Sequence, residues 1–368
     1  MVFRIKPVIH SVETAGELFE GFRIGEDDLV ITNEYVLMPH LGNIKPECGI
    51  LFQEQYGTGE PSDEMIDGIL QEANRKEYKR VFAIGGGTVL DIGKLLVFGP
   101  GYTCGDLFER GAALPKKREL VAIPTTCGTG SEVTCISIAE IKAKHTKMGL
   151  AIEQLFPDQT VLIPALLKAI PYNVFAASSI DALIHAIESY IAPRASDFTK
   201  LFSEKAMETI LTGYQALLAA GKSTEALQGR IGGFLNASCF AGIAFANAGV
   251  GAVHAASYPL GANFHIPHGN ANYLMFGAVM DVYRRNGADL SALEGVLGRI
   301  LLTGKVWDAL RELLDGVLAR KPLREYGMGK EQAGQFAESV IGTQQRLLVN
   351  NPVALSQEDI KEIYKACF

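Results

Sequence analysis

Two patterns of apolar positions divide the chain. In the first, short uninterrupted apolar runs recur: Asp28 to Thr32 (DLVIT), Gly49 to Phe52 (GILF), Arg80 to Ile84 (RVFAI) and Leu120 to Ile123 (LVAI). A strand that faces water on one side alternates apolar and polar residues. These runs do not, which predicts strands covered on both faces. Polar stretches separate them. In Pro61 to Arg75 (PSDEMIDGILQEANR), Met65, Ile66, Ile69 and Leu70 repeat at helical spacing behind acidic residues, the pattern of an amphipathic helix and its start. Strands alternating with helices predict an α/β domain with a parallel, Rossmann-like sheet.

The second pattern begins after about Pro171, where the strand-like runs stop. Phe175 to Ala192, Thr199 to Leu218, Val306 to Leu318, Glu331 to Leu348 and Ser356 to Ala366 all read as helices. A boundary within Ala165 to Asn173 (ALLKAIPYN) gives an α/β domain over 1–170 and an all-helical domain over 171–368. Inside the second, Ile231 to Met280 carries no Asp, Glu, Lys or Arg. The stretch is interrupted by Asn236, Asn247, Asn263, Asn270 and Asn272, by Pro259 and Pro267, and by His254, His265 and His268. No run of about 18 apolar residues survives these interruptions, so the segment is expected in the core of the helical domain rather than in a bilayer.

Composition narrows the range of partners. With 368 residues, 48% of them hydrophobic, the chain is large enough for two cored domains. A net charge of -7 argues against a nucleic-acid partner, which needs a basic face. The six cysteines are scattered and form no C-x-x-C pair, and the first residues lack the apolar run of a signal peptide. Both features predict reduced thiols in a cytoplasmic protein with no membrane partner.

Candidate chemistry begins at VFAIGGGTVLDIGK (Val81 to Lys94), an apolar strand, three glycines and then a helix. Thr88 and Asp91 have capping-box spacing, which predicts a helix starting at Thr88. Glycine lets backbone approach a ligand, and the free N–H groups of a helix start attract phosphate. A second turn of this kind follows at IPTTCGTGSEVT, where Thr129 and Glu132 repeat the spacing. Two such turns suit a pyrophosphate-bearing cofactor; Thr125, Thr126 and Ser131 read equally well as turn and cap residues.

In Phe175 to Ala192, Asp181 and His185 are four apart and share a helix face among Ala182, Leu183, Ile184, Ala186 and Ile187. A carboxylate in that setting needs a partner. His254 lies in the charge-free segment, on a helix that Pro259 is expected to end, and His268 follows in HIPHGN. One carboxylate and three imidazoles make a ligand set for Fe2+ or Zn2+. Glu188, one turn along the same helix, is a rival carboxylate.

Taken in order, GGGTVLD, PTTCGTGSEVT, SSIDALIHAIESY and the pair His254 and His268 resemble the iron-dependent (group III) alcohol dehydrogenase family over nearly the whole chain. The resemblance implies a dinucleotide-binding domain followed by a helical one, the dehydroquinate synthase-like architecture. It implies a divalent metal, Fe2+ before Zn2+, on Asp181, His185, His254 and His268. It also implies NAD, with its pyrophosphate on Gly86, Gly87 and Thr88. Asp91 counts in the same site, Thr125, Thr126 and Thr129 lie near the cofactor, and Lys147 lies near the nicotinamide ribose. The implied reaction is hydride exchange between NAD and a small ω-hydroxy acid or its semialdehyde, by a homo-oligomer. The alternatives are another small alcohol or diol, or a lyase of the dehydroquinate synthase type. Two residues depart from the family pattern. Tyr258 stands where many members have a further histidine, which passes proton transfer to His265 or Tyr258. Asn33 stands where NAD-preferring relatives often have aspartate, which removes a charge that would repel a ribose 2′-phosphate. A substrate carboxylate needs a cation or donors, for which Arg324, Arg346, Lys321 and His265 are candidates.

Overall fold

The structure, a computed structural model, describes residues 2–142 and 146–368. Its strands are β1 (Val8–Ser11), β2 (Asp28–Thr32), β3 (Gly49–Phe52), β4 (Arg80–Gly85), β5 (Glu119–Pro124), β6 (Ile136–Ile141), β7 (Thr146–Ala151) and β8 (Gln159–Leu162). Six of them form one parallel sheet in the order β1-β8-β5-β4-β2-β3. The four apolar runs become β2 to β5. The two remaining strands of that sheet, β1 and β8, lie beyond the sequence pattern: β1 (VIHS) is mostly exposed and polar at its end, and β8 contains Gln and Thr. β6 and β7 pair antiparallel as a separate ribbon.

Alternate strand residues bury one face of the sheet. Leu29 and Ile31, Val81 and Ala83, and Leu120 and Ala122 pack in one cluster with Ile66 and Ile69 of the helix Asp63–Ala73 and with Leu90 and Ile92 of Gly87–Leu95. Ser62 caps the first of these helices by accepting from Met65 N. Gly93 lets the second lie directly on β4, since a Cβ there would be 2.5 Å from that of Ala83. Because the sheet is parallel, Thr32, Phe52, Gly85 and Pro124 all end at one edge, with Thr32 in register with both Ile84 and Phe52, and Gly85 with Pro124.

The chain divides into two compact units, Ile5–Ile170 and Pro171–Phe368, and residues 2–4 group with the second. There the Phe3 ring stacks on Phe198 at 5.3 Å and Arg4 N donates to Asn247 Oδ1. The second unit is helical, its main helices being Tyr172–Ile191, Asp197–Ala219, Ile231–Ala248, Ala252–Phe264, His268–Arg285, Val306–Val317, Gln332–Thr343 and Gln357–Ala366. The expected helix over 331–348 is split at Gln344, where the backbone leaves helical geometry before Gln345–Leu348. Tyr172–Ile191 and Ile231–Ala248 are long and apolar enough to cross a bilayer, and most of each is buried inside this unit.

Pro259 does not end the His254 helix, which runs on to Phe264. Beside the proline, the Tyr364 hydroxyl donates to Ala256 O, so part of the hydrogen bonding there comes from outside the helix. Another backbone constraint sets the site. At Gly269, a Cβ would fall well inside van der Waals distance of the Ala177 carbonyl, because the start of the helix His268–Arg285 crosses the backbone of Tyr172–Ile191. Gly269→Ala should therefore destabilise the protein by about 1–3 kcal/mol as the helices are forced apart, and should weaken metal retention with it. Chemical denaturation with metal analysis of the purified variant checks both.

Candidate metal centre and dinucleotide edge

Asp181, His185 and Glu188 recur at intervals of four and three on one helix, so their side chains leave the same face. Ala177, one turn before Asp181, is the residue Gly269 lies against, and this crossing brings His268 beside Asp181. One ligand atom from each of Asp181, His185, His254 and His268 lies within 4.8 Å of all the others. His254 Nε2 is 3.7 Å and His268 Nε2 3.8 Å from Asp181 Oδ1, and His185 Nδ1 is 4.0 Å from Oδ2. These separations are too long for hydrogen bonds. They are close to the edges of a coordination shell with bonds of about 2.0–2.2 Å.

The surroundings match that geometry. His254 Nε2 is buried without a hydrogen-bond partner. Its other ring nitrogen, Nδ1, is 2.6 Å from Glu188 Oε2, while Glu188 Oε1 accepts from Val253 N. A carboxylate accepting at Nδ1 puts the proton there and leaves the Nε2 lone pair facing Asp181, as in the carboxylate–histidine pairs behind metal ligands. Glu188 thus engages the ring nitrogen of His254 that does not face Asp181, and it stands outside the candidate ligand group. The turn before His254 is held by the far end of the chain: Asn350 Nδ2 donates to Val250 O, Ala252 N donates to the Tyr283 hydroxyl, and that hydroxyl donates to Asn351 Oδ1.

Burial pushes the Asp181 carboxyl up, but the fields of His185, His268 and His254 and the Asn272 amide outweigh it and hold the group below its ordinary value. Asn272 Nδ2 donates to Asp181 Oδ1 at 2.6 Å and lies 3.1 Å from His268 Nε2. Sequence reasoning missed Asn272, although it follows His268 by one helical turn and so shares its face. A buried carboxylate, an unpartnered imidazole nitrogen and two further imidazoles form a donor set that fits a divalent transition metal.

The α/β unit brings together the two hydroxyl- and glycine-rich turns. A Cβ on Gly86 would lie 3.3 Å from Thr126 Cγ2, and one on Gly87 would lie 2.8 Å from Thr129 Cγ2. Thr125 N donates to Gly85 O. The capping boxes expected at both turns are absent. The first helix starts at Gly87 with Gly86 as a cap that has no side chain, and Thr88 Oγ1 donates instead to Gly59 O. Asp91 is spent inside, accepting from Ser131 Oγ and Ile138 N. The second turn forms only the short 3-10 segment Ser131–Val133, with Ser131 N donating to Thr129 Oγ1. The organiser is a lysine that the sequence reading passed over. Lys94 Nζ is fully buried and donates to Ser131 Oγ, Thr134 Oγ1 and Ile136 O, 3.6 Å from Asp91. Lys147 on β7 is ion-paired with Glu60, in the loop that Thr88 also holds. Asn33 follows β2 at the same edge.

The remaining candidates scatter. The Tyr258 ring lies 6.3 Å from that of His268, whereas His265 is exposed at the end of its helix with φ 52°. Lys321 and Arg324 line a cavity with Gly277, Ala278 and Asp281. Gly277 is nine residues beyond His268 on one helix, about 14 Å along its axis, so that cavity lies well away from the candidate ligand His268. Arg346 is exposed.

Comparison with known proteins agrees with this arrangement. The family described as iron-containing alcohol dehydrogenase matches residues 9–164, and its C-terminal counterpart, the Fe-containing alcohol dehydrogenase family, matches residues 175–368. The chain is 45% identical to 4-hydroxybutyrate dehydrogenase of Clostridium kluyveri, over 100% of both chains. It is 31% identical to long-chain-alcohol dehydrogenase 1 of Geobacillus thermodenitrificans, over 94% of this chain and 91% of that one. In fold it resembles sulfoacetaldehyde reductase from Bifidobacterium kashiwanohense in complex with NAD+, with a TM-score of 0.85 and 21% identity over 100% of this chain and 98% of that one. The chain belongs to the iron-containing alcohol dehydrogenase family.

Two outcomes follow from these contacts. Glu188→Gln cannot both accept at Nδ1 of His254 and at Val253 N through a charged group, and should lower metal affinity about 10–100-fold, read by titrating Co2+ into metal-free protein. Glu132 is buried, its Oε1 has no partner, and burial pushes its carboxyl from 4.5 up to about 7. A carboxyl raised on folding stabilises while protonated, so its contribution of about 2–3 kcal/mol is present at low pH and is lost as pH rises to about 7. Glu132→Gln should flatten that part of the stability–pH curve; an unchanged slope in denaturant titrations would refute the assignment.

Proposed function

We propose that this chain is an NAD-linked, metal-dependent alcohol dehydrogenase that interconverts 4-hydroxybutyrate and succinate semialdehyde. The observation that carries the reading is the meeting of Asp181, His185, His254 and His268 within 4.8 Å, in a chain 45% identical from end to end to a 4-hydroxybutyrate dehydrogenase.

When bound, a divalent cation such as Fe2+ would polarise the substrate oxygen, and the nicotinamide would take up or give the hydride. The chain's own residues position and protect. Asp181 and the three imidazoles would hold the cation, with Asp181 the charged member of the set. Glu188 fixes the His254 tautomer so that Nε2 points inward. Asn272 keeps Asp181 oriented by donating to Oδ1. Gly86, Gly87, Thr88, Thr125, Thr126 and Thr129 offer backbone N–H groups and hydroxyls to a pyrophosphate at the edge of the sheet, with Lys94 and Asp91 as the buried brace behind them. Lys147, paired with Glu60, borders that loop as the candidate for the nicotinamide ribose. Tyr258 is the better placed of the two proton-transfer candidates, because its ring neighbours His268.

Purified protein supplied with iron, NAD and 4-hydroxybutyrate should accumulate reduced nicotinamide, and simple alcohols and diols should be poorer substrates. A lyase would recycle its cofactor and show no net reduction with any alcohol, which would overturn the assignment. His254→Ala should lose the cation and turnover while still binding NADH. Full activity in dialysed, metal-free variant protein would be decisive against it.

A further inference from the structure

In a dinucleotide-binding sheet, the strand beside the glycine turn is followed by an acidic side chain that accepts from the adenosine ribose and repels a 2′-phosphate. Here that strand is β2, paired with β4, and the residue after it is Asn33, buried and neutral. One strand further out, β3 ends in register with β2, so the residues after the two strands lie side by side at the same edge.

Those residues return the missing charge. Asn33 Nδ2 donates to Glu54 Oε2 at 2.8 Å and to Gln53 Oε1 at 3.1 Å. Glu54 Oε1 accepts from Glu34 N at 2.7 Å. Gln53 is itself anchored, its Nε2 donating to Gly57 O. Glu34 N is the first N–H of the helix Glu34–Leu41, and Glu34 adds a second carboxylate to that first turn. A helix start with free N–H groups would welcome a 2′-phosphate; this one already has a carboxylate on its leading N–H.

We propose that Glu54, reaching across from the neighbouring strand, is the residue that makes this site select NAD over NADP. Asn33 is its tether: the amide cannot repel a phosphate, but it fixes the carboxylate that does. The proposal rests on the NAD-linked reading above and adds to it a residue that no pattern around β2 reveals.

The test is fluorescence titration of the full chain with NADH and NADPH, for the wild type, Glu54→Gln and Glu54→Lys. The wild type should favour NADH by about tenfold or more, Glu54→Gln should shrink that ratio about tenfold, chiefly by tightening NADPH, and Glu54→Lys should shrink it further. In the wild type, 2′,5′-ADP should displace NADH less well than 5′-AMP, a readout that needs no variant. Variants that bind NADH yet keep the wild-type ratio would overturn the role of Glu54, as would a wild type that binds both dinucleotides equally. A wild type that binds neither would defeat the NAD reading itself.

Discussion

The structure of the helical unit turns on a buried charge, the carboxylate of Asp181. In an apolar helix interior an unpaired carboxylate is costly, so whatever surrounds it must supply positive charge or donors. Three imidazoles and the Asn272 amide approach it, and their separations from its oxygens, mostly 3.7 to 4.0 Å, leave space between them rather than closing it with hydrogen bonds. The helix that carries Asp181 does four jobs along a single stripe. Ala177 admits the Gly269 crossing, Asp181 supplies charge, His185 supplies a ring and Glu188 fixes the tautomer of His254. Register alone keeps these four functions aligned, so a change in any one is felt by the others.

How much of this the sequence discloses depends on the range of the interaction. Local periodicity places β2 to β5 and most of the long helices, because a run such as DLVIT or a repeat such as Met65, Ile66, Ile69 and Leu70 encodes its own environment. The edge strand β1 does not. β1 is largely exposed, and its parallel partner β8 lies some 150 residues away, so nothing within VIHS announces a strand. Residue type and spacing single out Asp181, His185, His254 and His268 but leave Glu188 as a rival that only the family resemblance sets aside, whereas Asn272, Lys94 and Glu54 are ordinary residues until the fold places them against their partners.

The failed capping boxes teach the same lesson more sharply. Spacing at Thr88 and Asp91 satisfies the rule, but the rule assumes that both side chains are free to serve their own helix. Thr88 is drawn to Gly59 O in a neighbouring loop, and Asp91 is drawn to Ser131 and Ile138. Glycine at the cap leaves the helix start without a side chain of its own. A helix start without a side-chain cap keeps its first N–H groups open, the arrangement that the proposed pyrophosphate site requires.

Lys94 shows how the two turns are kept together without filling the space in front of them. Burial pushes its ammonium down and pushes the Asp91 carboxyl up, and each offsets part of the other's cost through their mutual attraction. The ammonium spends its three donors on Ser131, Thr134 and Ile136, all of them in the segment after β5, while Asp91 and Lys94 both belong to the helix after β4. The network therefore ties the two glycine- and hydroxyl-rich turns together through buried polar contacts. This buried polar network holds the two turns to each other through side chains of Lys94 and Asp91, so the glycines beside them carry none of that contact.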